Sequence, residues 1–344
     1  MYPQYLNYKM PAEWTEHIRT FISWPVQESM CYPEDYEDVC RGYAEIIQAV
    51  AEFEPVTVVV NSGSAEMLSR FIKNENIEYL FIEHNDAWLR DNGPTFLMND
   101  KGDLAGVNWH FNAWGGKYTP WDLDEELAPK ILEHTGVRCF DAPLVMEGGS
   151  IHVDGEGTMI TTEECLLNRN RNPKLSREQI EDYLRKYLSV NKIIWLKKGL
   201  CGDETDGHVD NVACFVAPGK ILLQVCDDSL DENCSNTRDN LKILKEATDA
   251  QGRKLEIITI QQPPLRTHNN QRLTLSYLNF YFVNKGIILP IFGGDAEAAD
   301  QMAIRKLSEI FPERRIHTVN GMAIIREGGN VHCMTQQMPA GRAK

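Results

Sequence analysis

Apolar positions along the chain alternate between two periods, and the alternation itself repeats. An apolar run at 18–25 (IRTFISWP) ends at Pro25 and reads as a strand. Residues 36–53 place Val39, Tyr43, Ile46, Ile47 and Val50 on one face of a helix. The run VTVVV at 56–60 has the composition of a strand buried on both faces. A shorter helix over 65–73 and a strand over 77–83 lead into the polar loop NDAWLRDNGP at 85–94.

From there one unit recurs: a helix, a strand, a loop rich in charged residues, then a hairpin. The first hairpin covers 95–107 and turns at NDKG. A helix at 123–134, a strand at 137–143 and the loop EGGSIH precede the hairpin at 151–162. The next unit has a helix at 176–188 that opens with a capping box, Ser176 with Gln179. Its strand is 192–196, its loop CGDETDGHVDN and its hairpin 213–224. A helix at 237–250, a strand at 255–260, the loop PPLRTHNNQR and a hairpin at 278–290 follow. The last helix (297–310) and strand (315–319) lead to REGGNVHCM, after which only half a hairpin remains. The unpaired strand at 18–24 can complete it, joining the two ends of the chain and removing an exposed sheet edge. Five units at a period of roughly 55–60 residues, each too small to bury its own apolar face, predict a ring with all five loops at one end. Asp91, Glu147, His208, Arg266 and Cys333 then occupy corresponding loops.

Composition narrows the setting. The 344 residues suffice for one large domain or two ordinary ones, and the ring reading makes 1–344 a single domain. A net charge of −15 argues against nucleic acid and anionic membranes and is compatible with a cationic substrate. The start of the chain is polar and aromatic, unlike a signal peptide or membrane span. Nine cysteines without paired spacing fit a reducing compartment, so a cytoplasmic location is expected.

The loops carry the candidate chemistry. EGGSIH (147–152) is echoed by EGGNVH (327–332), directly ahead of Cys333, and TDGHVDN (205–211) lies between them. A cysteine with a histidine from another loop forms a nucleophile–base pair. The carboxylates Asp91, Glu147 and Asp210 suit a cation better than an ester or amide, whose oxyanion needs donors. A planar guanidinium offers paired N–H groups that a carboxylate accepts side by side. Attack of the thiolate on its central carbon, loss of ammonia, and hydrolysis of a covalent thiouronium would release a urea.

NDAWLRDNGPTF (85–96), FNAWGGK (111–117), EGGSIHVDGEGTMITTEECLLNRNRNP (147–173), GHVDNVACFVAPG (207–219) and GGNVHCMTQQMP (328–339) resemble agmatine deiminases of the guanidine-modifying superfamily. The resemblance spans nearly the whole chain. It implies an α/β fold of the pentein type, a five-bladed pseudo-symmetric propeller of ββαβ units, which agrees with the repeat count. It also implies Cys333 as nucleophile, His208 as general acid/base, Asp91 and Asp210 gripping the guanidinium, and Glu147 pairing with the histidine or the guanidinium. Trp88 is expected to line the substrate channel. No metal or organic cofactor is implied, and homo-oligomers are expected. One segment departs from the family: the loop before SYLNFY usually offers an acid near the distal amine of agmatine. Here it holds Arg266, His268, Asn269 and Asn270 and no acid. If Arg266 points inward it would attract a carboxylate and favour arginine or a guanidino acid.

Plainer readings attach to several residues. His152 and His332 alternate with their neighbours along a strand and are expected to face away from the pocket. Trp114 and Trp121 are expected to be packing residues, and the eight cysteines other than Cys333 ordinary thiols. A metalloenzyme is a competing class, but no HxxxH or HExxH spacing supports it. An amidinotransferase or a dihydrolase on the same fold is another. A non-enzymatic propeller has no need of Cys333, His208 and the acids together.

Overall fold

Each recurrent unit folds as an antiparallel hairpin whose second strand pairs in parallel with the strand after the helix. The structure is a computed structural model and describes residues 1–343. In the first complete unit Thr95–Met98 pairs with Leu104–His110, which runs parallel to Arg138–Val145. The crossover carries the helices Asp122–Glu125 and Leu127–His134. The same order holds for Ile151–Val153, Thr158–Thr162 and Lys192–Leu196, with helix Arg177–Leu188 in the crossover. It holds again for Ala213–Ala217, Lys220–Val225 and Glu256–Gln261, with helix Glu232–Glu246. The fourth has Tyr281–Val283, Gly286–Ile291 and Arg315–Asn320, with helix Glu297–Ile310.

The fifth sheet is made from both ends of the chain. Thr335–Pro339 pairs antiparallel with His17–Ser23, setting Phe21 opposite Gln336 and Thr20 opposite Gln337. His17–Ser23 then runs parallel to Val56–Val60, and Ile77–Phe81 adds a further parallel strand. The N-terminal strand therefore takes the place the truncated last hairpin leaves open. The architecture is the α/β propeller of five ββαβ units that the repeat predicts.

Helix Tyr36–Ala51 shows how a unit is held. Val39, Tyr43, Ile46, Ile47 and Val50 are at most 2% exposed and pack with Val56, Val58 and Val60 of the adjoining strand. Full burial of each such side chain contributes about 1.5–3 kcal/mol. All five residues of Val56–Val60 are buried, as expected for a parallel strand covered on both faces. The capping box at Ser176 is present, with Gln179 reaching back to the Ser176 N–H. Some boundaries differ: the helix expected over 237–250 spans Glu232–Glu246, beginning early because Asp231 caps it by accepting the Asn233 N–H. Its first turn, Glu-Asn-Cys-Ser-Asn, lacks the apolar periodicity that marks the rest.

The segments that precede the hairpins gather at one end of the ring. Leu89–Asn92 packs against Val331–Met334 on one side and Gly148–Ser150 on the other, and Gly148–Ser150 packs against Val209–Asn211.

Candidate active site

Four of these loops bring Asp91, Glu147, His208, Asp210 and Cys333 together, each at most 5% exposed. Gly149 is the hub that lets them meet. A β-carbon there would lie 2.6 Å from His208 Nδ1 and 2.9 Å from both Asp210 Oδ2 and Asp91 Oδ1. Its own N–H donates to Asp91 Oδ1 at 2.9 Å. Gly329 has a matching role beside the cysteine, where a β-carbon would meet the Trp88 ring at 2.5 Å and Cys333 Cβ at 3.0 Å.

Cys333 Sγ lies 3.5 Å from Asp210 Oδ2 and receives the Asn279 side-chain N–H at 3.1 Å. Asp91 accepts the Trp114 indole N–H on its other oxygen at 2.9 Å. The His208 ring stands between two acids, with Nδ1 3.8 Å from Asp91 Oδ1 and Nε2 3.6 Å from Glu147 Oε2. Arg171 Nε donates to Glu147 Oε1 at 2.6 Å and fixes that carboxylate. Both ring nitrogens of His208 and Asp210 Oδ1 are buried and have no hydrogen-bond partner in the protein.

Burial and charge set the protonation states. Burial pushes the Cys333 thiol well above its usual range, and the charges of Asp210 and Asp91 push it further, so the resting sulfur is a thiol. Burial opposes charge on His208, but Asp91, with Cys165 and Glu147, outweighs it and holds the imidazolium well above the ordinary histidine range. Burial also acts to raise Glu147 and Asp210. The His208 imidazolium beside it and Arg171 reverse this for Glu147, and His332 reverses it for Asp210, so both carboxyls sit below their ordinary range. Asp91 goes the other way, raised by burial and by Asp210 and Glu147 despite His208.

A cavity of about 640 Å³ leads from Asp91 and Cys333 to solvent. Trp88, Trp114, Tyr43 and Tyr118 form aromatic walls, while Asp86, Glu204 and Glu327 line it with acid. Burial, with Asp124 nearby, pushes Asp86 up to about 8. Burial likewise raises Glu327. No lysine or arginine lines this cavity among the described residues.

Two expectations are corrected. Arg266 does not reach the cavity. Its guanidinium is taken by Asp295 (Nε–Oδ1 2.8 Å) and by the carbonyls of Phe292 (2.8 Å) and Gly293. The fourth loop contributes Asn279 instead, two residues ahead of strand Tyr281–Val283, just as Cys333 stands two ahead of Thr335–Pro339. Trp114 is a wall residue and not mere packing. Ala113, Trp114 and Gly115 all have positive φ (50°, 54° and 94°), and this left-handed turn aims the indole at Asp91. His332 lies behind the pocket as expected, yet it is no bystander: its Nδ1 is 3.0 Å from Asp210 Oδ2 and its Nε2 2.9 Å from Glu13 Oε1. Trp88 lines the cavity as expected, Trp121 is partly buried and packs against the apolar core, and His152 Nδ1 accepts the Phe215 N–H. The sequence reading did not single out Glu13, Arg171 or Asn279, although Arg171 lies within the segment 147–173 and Asn279 within SYLNFY.

One group of side chains, Glu147, Cys165 and His208, brings three potential metal-ligand atoms within 4.8 Å of one another. Arg171 already occupies one Glu147 oxygen there, a cation where a metal would need a free ligand.

Residues 9–339 match the family model of Porphyromonas-type peptidyl-arginine deiminase. An agmatine deiminase of Stutzerimonas stutzeri is 45% identical over 365 residues, covering 98% of this chain and 97% of its own. One of Pseudomonas aeruginosa is 45% identical over 367 residues, covering 99% and 98%. Among solved structures, the agmatine deiminase of Enterococcus faecalis superposes with a TM-score of 0.94 at 35% identity, covering 98% of each chain. A DDAH of Pseudomonas aeruginosa, 13% identical with a TM-score of 0.51, shares the fold.

Proposed function

The chain belongs to the Porphyromonas-type peptidyl-arginine deiminase family, and we propose that it hydrolyses the guanidinium of agmatine to N-carbamoylputrescine and ammonia. The observation that carries this is a buried cysteine set among Asp91, His208 and Asp210 at the base of a cavity lined by acids.

Asp91 and Asp210 receive the guanidinium N–H groups and hold the cation over Cys333. Asp210 Oδ1, which has no partner in the protein, is the oxygen free to do so. The arriving positive charge offsets the two carboxylates that keep the thiol protonated, so Cys333 loses its proton to solvent through the cavity as substrate binds. Sγ bonds to the guanidinium carbon and forms a tetrahedral adduct. His208 gives its proton to the departing nitrogen, the C–N bond breaks and ammonia leaves a thiouronium on Cys333. Water attacks the same carbon and yields a proton to His208. The C–S bond then breaks as the remaining hydroxyl proton passes to the departing sulfur, releasing the ureido product and restoring the Cys333 thiol. Glu147, tied to Arg171, holds the histidine in line throughout.

The cavity acids favour agmatine over arginine. The distal ammonium of agmatine meets Asp86, Glu204 or Glu327, whereas the α-carboxylate of arginine would face them with no cation to receive it. With Arg266 bound elsewhere, the argument for a carboxylate substrate loses its support. The ureido product is a putrescine precursor, which places the reaction in polyamine synthesis. Nine free cysteines fit the reducing cytoplasm, and no helix among the described residues is long and apolar enough to cross a membrane. A homo-oligomer is part of the same reading.

The test is ammonia release from agmatine and from free arginine in parallel, with the ureido product weighed. Because a carboxylate desolvated with no cation to receive it costs several kcal/mol, kcat/KM for agmatine should exceed that for arginine by about a thousandfold or more. Equal or better turnover of arginine overturns the substrate reading.

A further inference from the structure

Behind Asp210 a second set of charges is buried that the reaction above does not use. His332 Nδ1 lies 3.0 Å from Asp210 Oδ2, and its Nε2 lies 2.9 Å and 3.1 Å from the two oxygens of Glu13. Glu13 and His332 are each 2% exposed. Carboxylates face both ring nitrogens, and a neutral imidazole can donate to only one of them. The arrangement is satisfied when both nitrogens carry hydrogen and the ring is a cation.

The groups facing this ring come from five parts of the chain. Asp210 and Glu13 hold it directly. Arg90 approaches Glu13 at 3.6 Å, and His152 Nε2 approaches the other Glu13 oxygen at 3.6 Å. Cys333 is its chain neighbour, and the Cys214 thiol closes the space with Leu278, Phe280 and Phe282. Two carboxylates thus balance the imidazolium and one guanidinium in an apolar surround, where each unpaired charge is costly.

We propose that Glu13 is a positioning residue for the reaction, acting through His332 to fix the Asp210 carboxylate. With Oδ2 held by the imidazole beside the Cys333 thiol, Oδ1 is left turned to the substrate. Without that anchor the carboxylate rotates freely about its last bond and loses its cationic partner. This rests on the reading of Asp210 as a guanidinium ligand. Burial acts to raise Glu13 and Asp210, but His332 holds both below the ordinary range. Asp210 should therefore titrate higher once His332 loses its charge.

The test uses the full chain with Glu13→Gln, which keeps shape and removes charge, and Glu13→Asp, which keeps charge. Glu13→Gln should lower kcat/KM for agmatine about ten- to a hundredfold, the usual range for residues that orient a ligand. The acid limb of its pH profile should move to higher pH, because a raised Asp210 is protonated sooner as pH falls. Glu13→Asp should return the limb toward its wild-type position. A Glu13→Gln enzyme with an unmoved limb overturns the proposal, whatever its melting temperature. A second measurement needs neither variant nor substrate: ¹⁵N NMR of labelled histidine in the wild-type protein. Two slowly exchanging N–H groups on the His332 ring at neutral pH support the proposal, and a neutral ring overturns it. If those signals are present but agmatine is not turned over, the substrate reading fails and the charge relay stands.

Discussion

Gly149 sets the residue scale of the account. Three functional side chains converge on the space a β-carbon would fill, all within 2.9 Å. None of the three is the loose end of a surface chain, so nothing can yield without disturbing the site. Gly149→Ala should keep the fold at a cost of about 1–3 kcal/mol while lowering kcat by at least about a hundredfold, since misplacement of catalytic groups by an ångström costs about that much. Steady-state kinetics beside a thermal melt check this, and a variant with wild-type kcat contradicts the crowding. The candidate residues legible from sequence were Cys333, His208, Asp210 and Glu147 in or beside the repeated Gly, His and Asp motifs, with Trp88 and Asp91 in the loop NDAWLRDNGP. Those missed act at a distance in sequence. Glu13 meets His332 across 319 positions, and Asn279 stands in a loop whose charged member, Arg266, drew attention first. Counting back from the strand, as Cys333 and Asn279 both allow, is the signal that would have found the latter.

At the scale of elements, hairpins and amphipathic helices were legible because period and turn residues agreed. The helix Glu297–Ile310 and the capped helix Arg177–Leu188 begin and end where their patterns do. Glu232–Glu246 starts earlier than its apolar spacing because a cap, not a periodicity, fixes its first turn. Asp231 accepts the Asn233 N–H, two bonds from Arg272 (2.7 and 2.8 Å) and one from Gln262 (2.8 Å). The Arg272 bonds hold its carboxyl at about 2, below the ordinary value of about 3.9. A depressed acid stabilises the fold above its unfolded value and ceases to do so as pH falls through the folded one. Asp231→Asn keeps the cap but not the charge. It should cost about 1 kcal/mol at neutral pH, with the gap closing between about pH 4 and pH 2. Urea midpoints at fixed m-value read this directly, and a gap independent of pH contradicts it.

At the scale of the molecule, the ring explains why residues so far apart in sequence share one pocket. Each unit delivers its loop to the same end, and pairing of Thr335–Pro339 with His17–Ser23 closes the circle next to the nucleophile. The repeat and the missing half-hairpin made that closure legible before any contact was known. The shape and acid lining of the cavity were not legible, because Asp86, Glu204 and Glu327 come from three separate loops. The proposed chemistry is covalent and centred on one sulfur, and the most direct measurement is to trap it. Enzyme turning over agmatine is quenched in acid within milliseconds, digested, and the peptide carrying Cys333 weighed. The account predicts an adduct on Cys333 with the mass of agmatine less ammonia, absent in Cys333→Ala, which should be folded and inactive. Steady turnover with an unmodified Cys333 at every quench time, or undiminished turnover by Cys333→Ala, would contradict it.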